Sequence, residues 1–149
     1  MSVRLLAAPF DPGAELAKFH TGRTDVGAIV SFTGVTRDDS GTLSYMEIEH
    51  YPGMTESALQ KIEAEARNRW DLKDSLILHR HGKIAPGEVI MMVATAAPHR
   101  RDAFEAADFL MDFLKSRAPF WKKEVSGEGE SWVDAKSQDE ADLKRWTSS

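Results

Sequence analysis

The chain has 149 residues, 42% of them apolar and 29% charged, and a formal net charge of -5 at pH 7. This length and composition predict one soluble globular domain over residues 1–149 and exclude a disordered or fibrous protein. Because the chain contains no cysteine, disulfides, thiolate metal sites, a cysteine nucleophile and a persulfide carrier are also excluded.

Hydropathy and charge indicate where the protein works. No apolar run approaches the roughly 20 residues that a membrane span needs, and residues 1–4 lack the basic and apolar regions of a signal peptide. We therefore expect a cytoplasmic protein with no membrane contact. The acidic net charge is atypical of nucleic-acid-binding proteins, so we expect no nucleic-acid partner either.

The amino-terminal half combines strands with amphipathic helices. Asp11 followed by Pro12 is typical of a helix start, because aspartate caps free backbone N–H groups and proline fits the first helical position. Residues 43–51 alternate between apolar and polar side chains, which is the pattern of a half-buried strand. The predicted elements are strands at 3–7, 26–35 and 43–51, and helices at 12–19 and 55–70.

In the carboxyl-terminal half, strands arrive in adjacent pairs with a helix between the pairs. The predicted strands lie at 75–81, 88–97, 120–125 and 131–133, and the predicted helices at 99–117 and 138–146. A doubly wound parallel sheet would instead alternate strictly between strands and helices. We therefore predict an α+β fold with a mainly antiparallel sheet and helices packed between the strand pairs.

The predicted helix 99–117 carries aromatic residues on two sides. Phe104, Met111 and Lys115 share one arc of the helical wheel, while Phe109 and Phe113 lie opposite, which predicts a central helix with two apolar flanks. A lysine on an apolar face either extends its ammonium to water, the commoner case, or binds an anion. The residues alone leave both explanations open.

This acidic chain contains two clusters of basic residues. Residues 113–123 include four basic side chains and no acidic one, and residues 99–101 form the second cluster. The second cluster opens a predicted helix, where free N–H groups and the helix dipole favour anions. Arg37 follows a predicted buried strand, at a loop where functional side chains are common. These cations indicate a small anionic ligand, although a solvated basic face is the simpler alternative.

The predicted strand 120–125 places Lys122 and Glu124 on one face. They form either a surface ion pair worth about 0–1 kcal/mol or a positioned ammonium whose proton affinity the carboxylate adjusts. His79 and His81 have a spacing that can ligate a metal, but no third ligand is indicated, so a structural role is favoured. The residues alone thus predict an anion-binding domain with two candidate lysines and no metal.

Four sequence segments together resemble the MoaE family of molybdopterin synthase catalytic subunits. Their order and spacing match that family, and the resemblance extends from about residue 28 to residue 146. The last segment is the most specific. The segments are FTGVTR at 32–37, EHYPGM at 49–54, HR at 99–100 with AFEA at 103–106, and KSRAPFWKKE at 115–124.

The resemblance implies an α/β-hammerhead-like fold and a set of site residues. Lys115 and Lys122 would be the catalytic lysines. The other implied residues bind the pterin and its phosphate or line and support the pocket; these are Arg37, His99, Arg100, Phe32, Met111 and Glu124. Lys136 stands where some relatives carry arginine, which keeps the charge but loses a planar bidentate donor.

The resemblance also implies the reaction and the partners. Two sulfur atoms would pass from the Gly-Gly thiocarboxylate of a small ubiquitin-like subunit to cyclic pyranopterin monophosphate, which yields the molybdopterin dithiolene. The implied assembly is a homodimer with one small subunit at each end, a heterotetramer, in which His99 and Arg100 could serve the neighbouring protomer. No cofactor is expected. The alternative is a non-enzymatic module that binds a ubiquitin-like tail or a phosphorylated ligand.

Overall fold

The computed structural model describes residues 2–133 and 137–147. In chain order, its elements are β1 (Ser2–Leu6), α1 (Pro12–His20), β2 (Ala28–Val35), β3 (Leu43–His50), α2 (Met54–Arg69), β4 (Asp74–Arg80), β5 (Gly82–Ile84), β6 (Val89–Ala97), α3 (Arg100–Ser116), β7 (Phe120–Ser126), β8 (Gly129–Val133) and α4 (Ser137–Lys144). None of the helices in these residues is long and apolar enough to cross a membrane.

The strands form two four-stranded sheets. The first has the order β1-β4-β6-β2 and the second the order β5-β3-β7-β8. Among the described residues, β1 and β4 are the one parallel pair. The predicted α+β class with mainly antiparallel pairing is therefore confirmed. The division into two sheets and the three-residue strand β5 were not predicted, because strand pairing depends on contacts between distant segments.

The first sheet is covered on both faces. On one face, Ile77 of β4 and Val93 of β6 belong to a core that also contains residues of α2 and α3. On the other face, Leu78 and Met92 pack with Phe19 of α1. These neighbours alternate along the strands because successive side chains point to opposite faces. The sheet is thus a rigid support for the elements around it.

Two local predictions are confirmed at residue level. The Asp11 carboxylate accepts hydrogen bonds from the backbone N–H groups of Gly13 and Ala14, at 2.9 and 3.2 Å, and so caps α1. Along β3, Met46 and Ile48 are buried in the main core, whereas the intervening Glu47 is only partly covered. The second sheet therefore turns its apolar face toward the first.

The prediction that α3 is buried on both flanks is wrong for the single chain. Phe109 is 2% exposed and packs in the core, but Phe104 is 60% exposed. Small residues make the close contact with the first sheet, and Thr95 of β6 donates a hydrogen bond to the carbonyl oxygen of Ala103 at 2.7 Å. A helical wheel shows which residues share an arc, but it does not show which arc packs against the sheet. It therefore could not distinguish the buried flank from the exposed one.

Candidate functional site

A cavity of about 820 Å³ is lined by residues of both sheets, of the loop between β2 and β3, and of α3 and α4. Five of the predicted site residues line it: Phe32, Arg37, Lys115, Lys122 and Glu124. They come from four separate parts of the chain. The fold therefore brings together most of the residues that the sequence singled out.

Lys115 enters the cavity from the last turn of α3. Its side chain is exposed, as expected for a lysine that extends its ammonium toward water. A cation at this end of a helix is favoured by the helix dipole, because the carboxyl-terminal carbonyl groups carry partial negative charge. The helix thus supports a positive charge at the edge of the cavity.

Lys122 lies deeper, on the inner face of β7. It is directly opposite the fully buried Ile48 in the β3–β7 ladder. Burial, and to a smaller extent the positive charge of Lys115, lower the pKa of Lys122 to about 8, while Asp139 of α4 acts in the opposite direction. A lysine with this pKa is partly neutral near pH 7, so it can accept as well as donate a proton there.

The neighbouring Lys123 makes the ion pairs that the sequence left open for Lys122. Its ammonium lies 3.8 Å from a carboxylate oxygen of Glu47 and 3.5 Å from one of Glu130. Within the described residues, no ion pair joins Lys122 to Glu124, although both line the cavity. The surface-pair interpretation of Lys122 and Glu124 is therefore wrong, and the ammonium of Lys122 remains available to a ligand.

Arg37 lies at the mouth of the cavity on the loop after β2. Its guanidinium is 3.1 Å from a carboxylate oxygen of Asp39, and both side chains are about three-quarters exposed. An ion pair this exposed contributes little, because water screens both charges. A ligand phosphate could therefore replace Asp39 at small cost. The carboxylate of Asp38 holds the loop by accepting hydrogen bonds from the N–H groups of Gly41 and Leu43.

The remaining predicted residues do not line this cavity. Met111 is partly buried against the main core, one helical turn before Lys115. His99 is the N-cap of α3, and Arg100 begins the helix. Since a helix rises about 1.5 Å per residue, Arg100 lies roughly 22 Å along the axis from Lys115. Lys136 lies outside the described residues.

Comparison with known proteins identifies the family. The MoaE protein family matches residues 5–117. The molybdopterin synthase catalytic subunit of Cereibacter sphaeroides is 62% identical over 146 residues, covering 98% of this chain and all of that protein. The chain belongs to the MoaE family.

Solved structures of MoaE proteins agree with this assignment. The molybdopterin biosynthesis MoaE protein from Burkholderia ambifaria superposes with a TM-score of 0.84 at 49% identity, covering 98% of this chain and 97% of the other. Molybdopterin synthase from Staphylococcus aureus gives a TM-score of 0.79 at 30% identity, covering 87% and 95%. The family predicted from the four sequence segments is therefore confirmed.

The sequence did not indicate that two further groups belong at the site of this MoaE chain. Asp139 lines the cavity, but nothing in its sequence context distinguishes it from the other acids of its helix. His79 is 3% exposed, and its ring stacks on that of Phe120, which also lines the cavity. Within residues 2–133 and 137–147, no group of three or more His, Asp or Glu side chains could hold a metal ion.

His79 should make the stability of this MoaE chain sensitive to acid. Burial lowers its pKa to about 3 from an ordinary value of 6.5. Between these values the unfolded chain binds a proton that the folded chain does not, so the free energy of unfolding falls as the pH falls. The expected loss between pH 7 and pH 5 is about 2 kcal/mol from this group.

Urea unfolding of the wild type and of His79→Phe at pH 7, 6 and 5 measures this loss. The variant lacks the titrating group, so its free energy of unfolding should fall between pH 7 and pH 5 by about 2 kcal/mol less than that of the wild type. This difference does not depend on how stable the variant is at pH 7. Parallel pH dependences for the two proteins would contradict the assignment.

Proposed function

We propose that this MoaE chain is the catalytic subunit of a molybdopterin synthase, a sulfurtransferase that acts on cyclic pyranopterin monophosphate. The observation that carries the proposal is the cavity in which Arg37, Lys115 and Lys122 converge. The cavity volume lies within the range of small-molecule sites, about 300–1,000 Å³. A pterin phosphate and the end of an extended peptide are ligands of suitable size and charge for such a cavity.

The charges of the reactants explain the cations of the cavity. The substrate phosphate and a thiocarboxylate are both anions, and they repel each other unless fixed positive groups hold them together. Arg37 offers a planar donor for the phosphate at the cavity mouth, which suits bidentate binding. We assign the phosphate to Arg37 and the thiocarboxylate to Lys115.

The two lysines also supply proton transfer. Lys115 orients the thiocarboxylate and exchanges a proton with it, while Lys122 responds to the proton and charge changes as sulfur adds to the pterin side chain. The lowered pKa of Lys122 supports this role, because acid–base catalysis is most efficient when the pKa is near the working pH. Phe32 and Glu124 line the same cavity and would contact the substrate, with Met111 supporting Lys115 from behind.

Sulfur must come from a partner in this proposal. The chain contains no cysteine, so it cannot carry a persulfide, and methionine thioethers do not release sulfur under mild conditions. The partner would be a small ubiquitin-like subunit with a Gly-Gly thiocarboxylate, consistent with the naming of the relatives as one subunit of a larger enzyme. The assembly would be a heterotetramer built on a homodimer of this chain.

His99 and Arg100 contribute in this proposal to the cavity of the neighbouring protomer. Their place at the amino end of α3 keeps them from their own cavity, which lies at the opposite end of that helix. Cations next to the free N–H groups of a helix start are suited to bind an anion. In a dimer, two copies of α3 could each complete the site of the other chain.

The proposed activity is tested by titrating thiocarboxylated partner against a fixed amount of the pterin precursor, with no other sulfur source, and counting dithiolene formed. Each thiocarboxylate carries one sulfur atom and the product needs two, so two partners should be consumed per product. Product without partner, or one product per partner, would contradict the mechanism. Tight binding of partner and precursor without product would favour the non-enzymatic alternative.

Replacing Lys115 should remove most of the activity without unfolding the chain. Lys115→Ala is expected to lower turnover by about 10²–10⁴-fold, the usual contribution of a positioned acid–base group. Lys115→Arg should also fail, because guanidinium keeps its proton at any working pH. Lys73→Ala is a suitable control, since that exposed lysine lies outside the cavity. Normal sulfur transfer by a folded Lys115 variant would refute its role.

Mixed dimers test whether His99 and Arg100 act across the interface. Lys115→Ala and Arg100→Ala would each inactivate both sites of their own homodimer. In a mixed dimer, one site would contain both defects and the other neither, so mixing should restore up to half of the activity per heterodimer. Differently tagged chains, co-purified and assayed for dithiolene, measure this recovery. Absence of recovery in verified heterodimers would contradict the shared site.

A further inference from the structure

His79 has an unusual position for a histidine. It lies on β4 of the first sheet, yet its ring stacks on that of Phe120, the first residue of β7 in the second sheet, with ring centroids 3.9 Å apart and planes inclined by 16°. Phe120 and Lys122 are two residues apart on one strand and therefore share a face. Both line the cavity. His79 thus forms part of the support directly behind the site.

The hydrogen bond of His79 determines its tautomer. Its Nδ1 lies 2.8 Å from the backbone carbonyl oxygen of Arg80. A carbonyl oxygen can only accept, so Nδ1 must carry the hydrogen. In the neutral ring, Nε2 is then unprotonated and holds a free lone pair. Among the described residues, no hydrogen bond to Nε2 is formed.

Burial and nearby positive charges together keep this ring neutral. Burial is the main cause of the low pKa of His79, and the positive charges of Lys122, Lys115 and His81 lower it further. An imidazole that stays neutral can stand next to two ammonium groups, where a third cation would be strongly unfavourable. Its lone pair is, in addition, the negative end of a dipole.

We propose that His79 is a positioning residue of the sulfur-transfer site: it holds Phe120 against the cavity and keeps an unprotonated imidazole nitrogen beside Lys122 that stabilises the ammonium form of that lysine. The catalytic part of this inference rests on the proposed function. The remaining part concerns only the position of the His79 ring, its tautomer and the proton affinity of Lys122.

Burial is the main influence on the proton affinity of Lys122, and the groups around the ammonium modify it. Lys115 of α3 opposes the ammonium form, while Asp139 of α4 favours it. Glu124, two residues along β7, lines the same cavity. In this proposal His79 of β4 supplies a further contribution, although its neutral ring carries no net charge. Removing the imidazole of His79 should favour the neutral form of Lys122.

The tautomer can be tested in the wild-type chain by NMR with ¹⁵N-labelled histidine. His79 should show a protonated Nδ1 and an unprotonated Nε2 from pH 6 to pH 9, without titration of the ring itself. The Nε2 resonance should move as Lys122 titrates near pH 8. A hydrogen on Nε2, or an Nε2 resonance insensitive to pH in that range, would overturn the proposal. This measurement needs no variant and no partner.

Two substitutions separate the ring from the nitrogen. His79→Phe keeps an aromatic ring for Phe120 but removes the lone pair, so the pKa of Lys122, followed by ¹⁵N-lysine NMR, should fall by about 0.5–1 pH unit. His79→Gln restores a polar acceptor without the ring, so the pKa of Lys122 should stay near 8. His81→Phe is the matched control, because its ring neighbours His50 instead. A residue that served only to pack Phe120 would leave the pKa of Lys122 unchanged in His79→Phe, and that result would overturn the inference.

Kinetics distinguish failure of this inference from failure of the proposed function. In the complete synthase, the alkaline limb of kcat/KM should shift downward in His79→Phe by the same amount as the pKa of Lys122. A shift of that pKa in the isolated chain without a change in the pH–rate profile would leave the local interaction intact but remove Lys122 from the proposed chemistry. An unshifted pKa would instead refute the role of His79, whatever the activity.

Discussion

Two ammonium groups share one partly buried cavity, and their mutual repulsion is the constraint on which the rest of the site depends. Burial and the charge of Lys115 both disfavour the ammonium form of Lys122. This arrangement costs free energy in the folded chain when no ligand is bound. Bound anions would relieve the repulsion. The site is therefore preorganised for negatively charged ligands, and the cost must be offset by packing elsewhere.

The connection between α3 and β7 keeps the two lysines in place. The hydroxyl of Thr55 donates a hydrogen bond to the carbonyl oxygen of Pro119 at 3.0 Å and accepts one from the N–H of Tyr51. Thr55 is fully buried, so water does not compete for these bonds. On the other side, Arg117 pairs with Glu140 of α4 at 2.7 Å. The short segment between Lys115 and Lys122 is thus fixed from α2 and from α4.

The sequence predicted those features well that depend only on residues close together in the chain. The cap at Asp11 and the buried face of β3 follow from side-chain chemistry and from the two-residue period, and both are present. The set of cavity residues came instead from the family resemblance, since residues such as Phe32 and Lys122 meet only through the fold. The residues alone favoured a structural role for His79, and its place behind the cavity depends on a contact between strands of two different sheets.

The length of α3 bears on how two chains would assemble in the proposed dimer. The helix ends at the cavity of its own chain, and its basic amino-terminal turn lies roughly 22 Å away, beyond reach of that cavity. Phe104, one turn after Arg100, is exposed although large aromatic side chains gain free energy from burial. A two-fold dimer brings the same patch of both chains together, so a contact at this end would cover both copies of Phe104 at once. The same contact would carry each Arg100 toward the other chain, and the helix would then act as a spacer between two sites that neither chain completes alone.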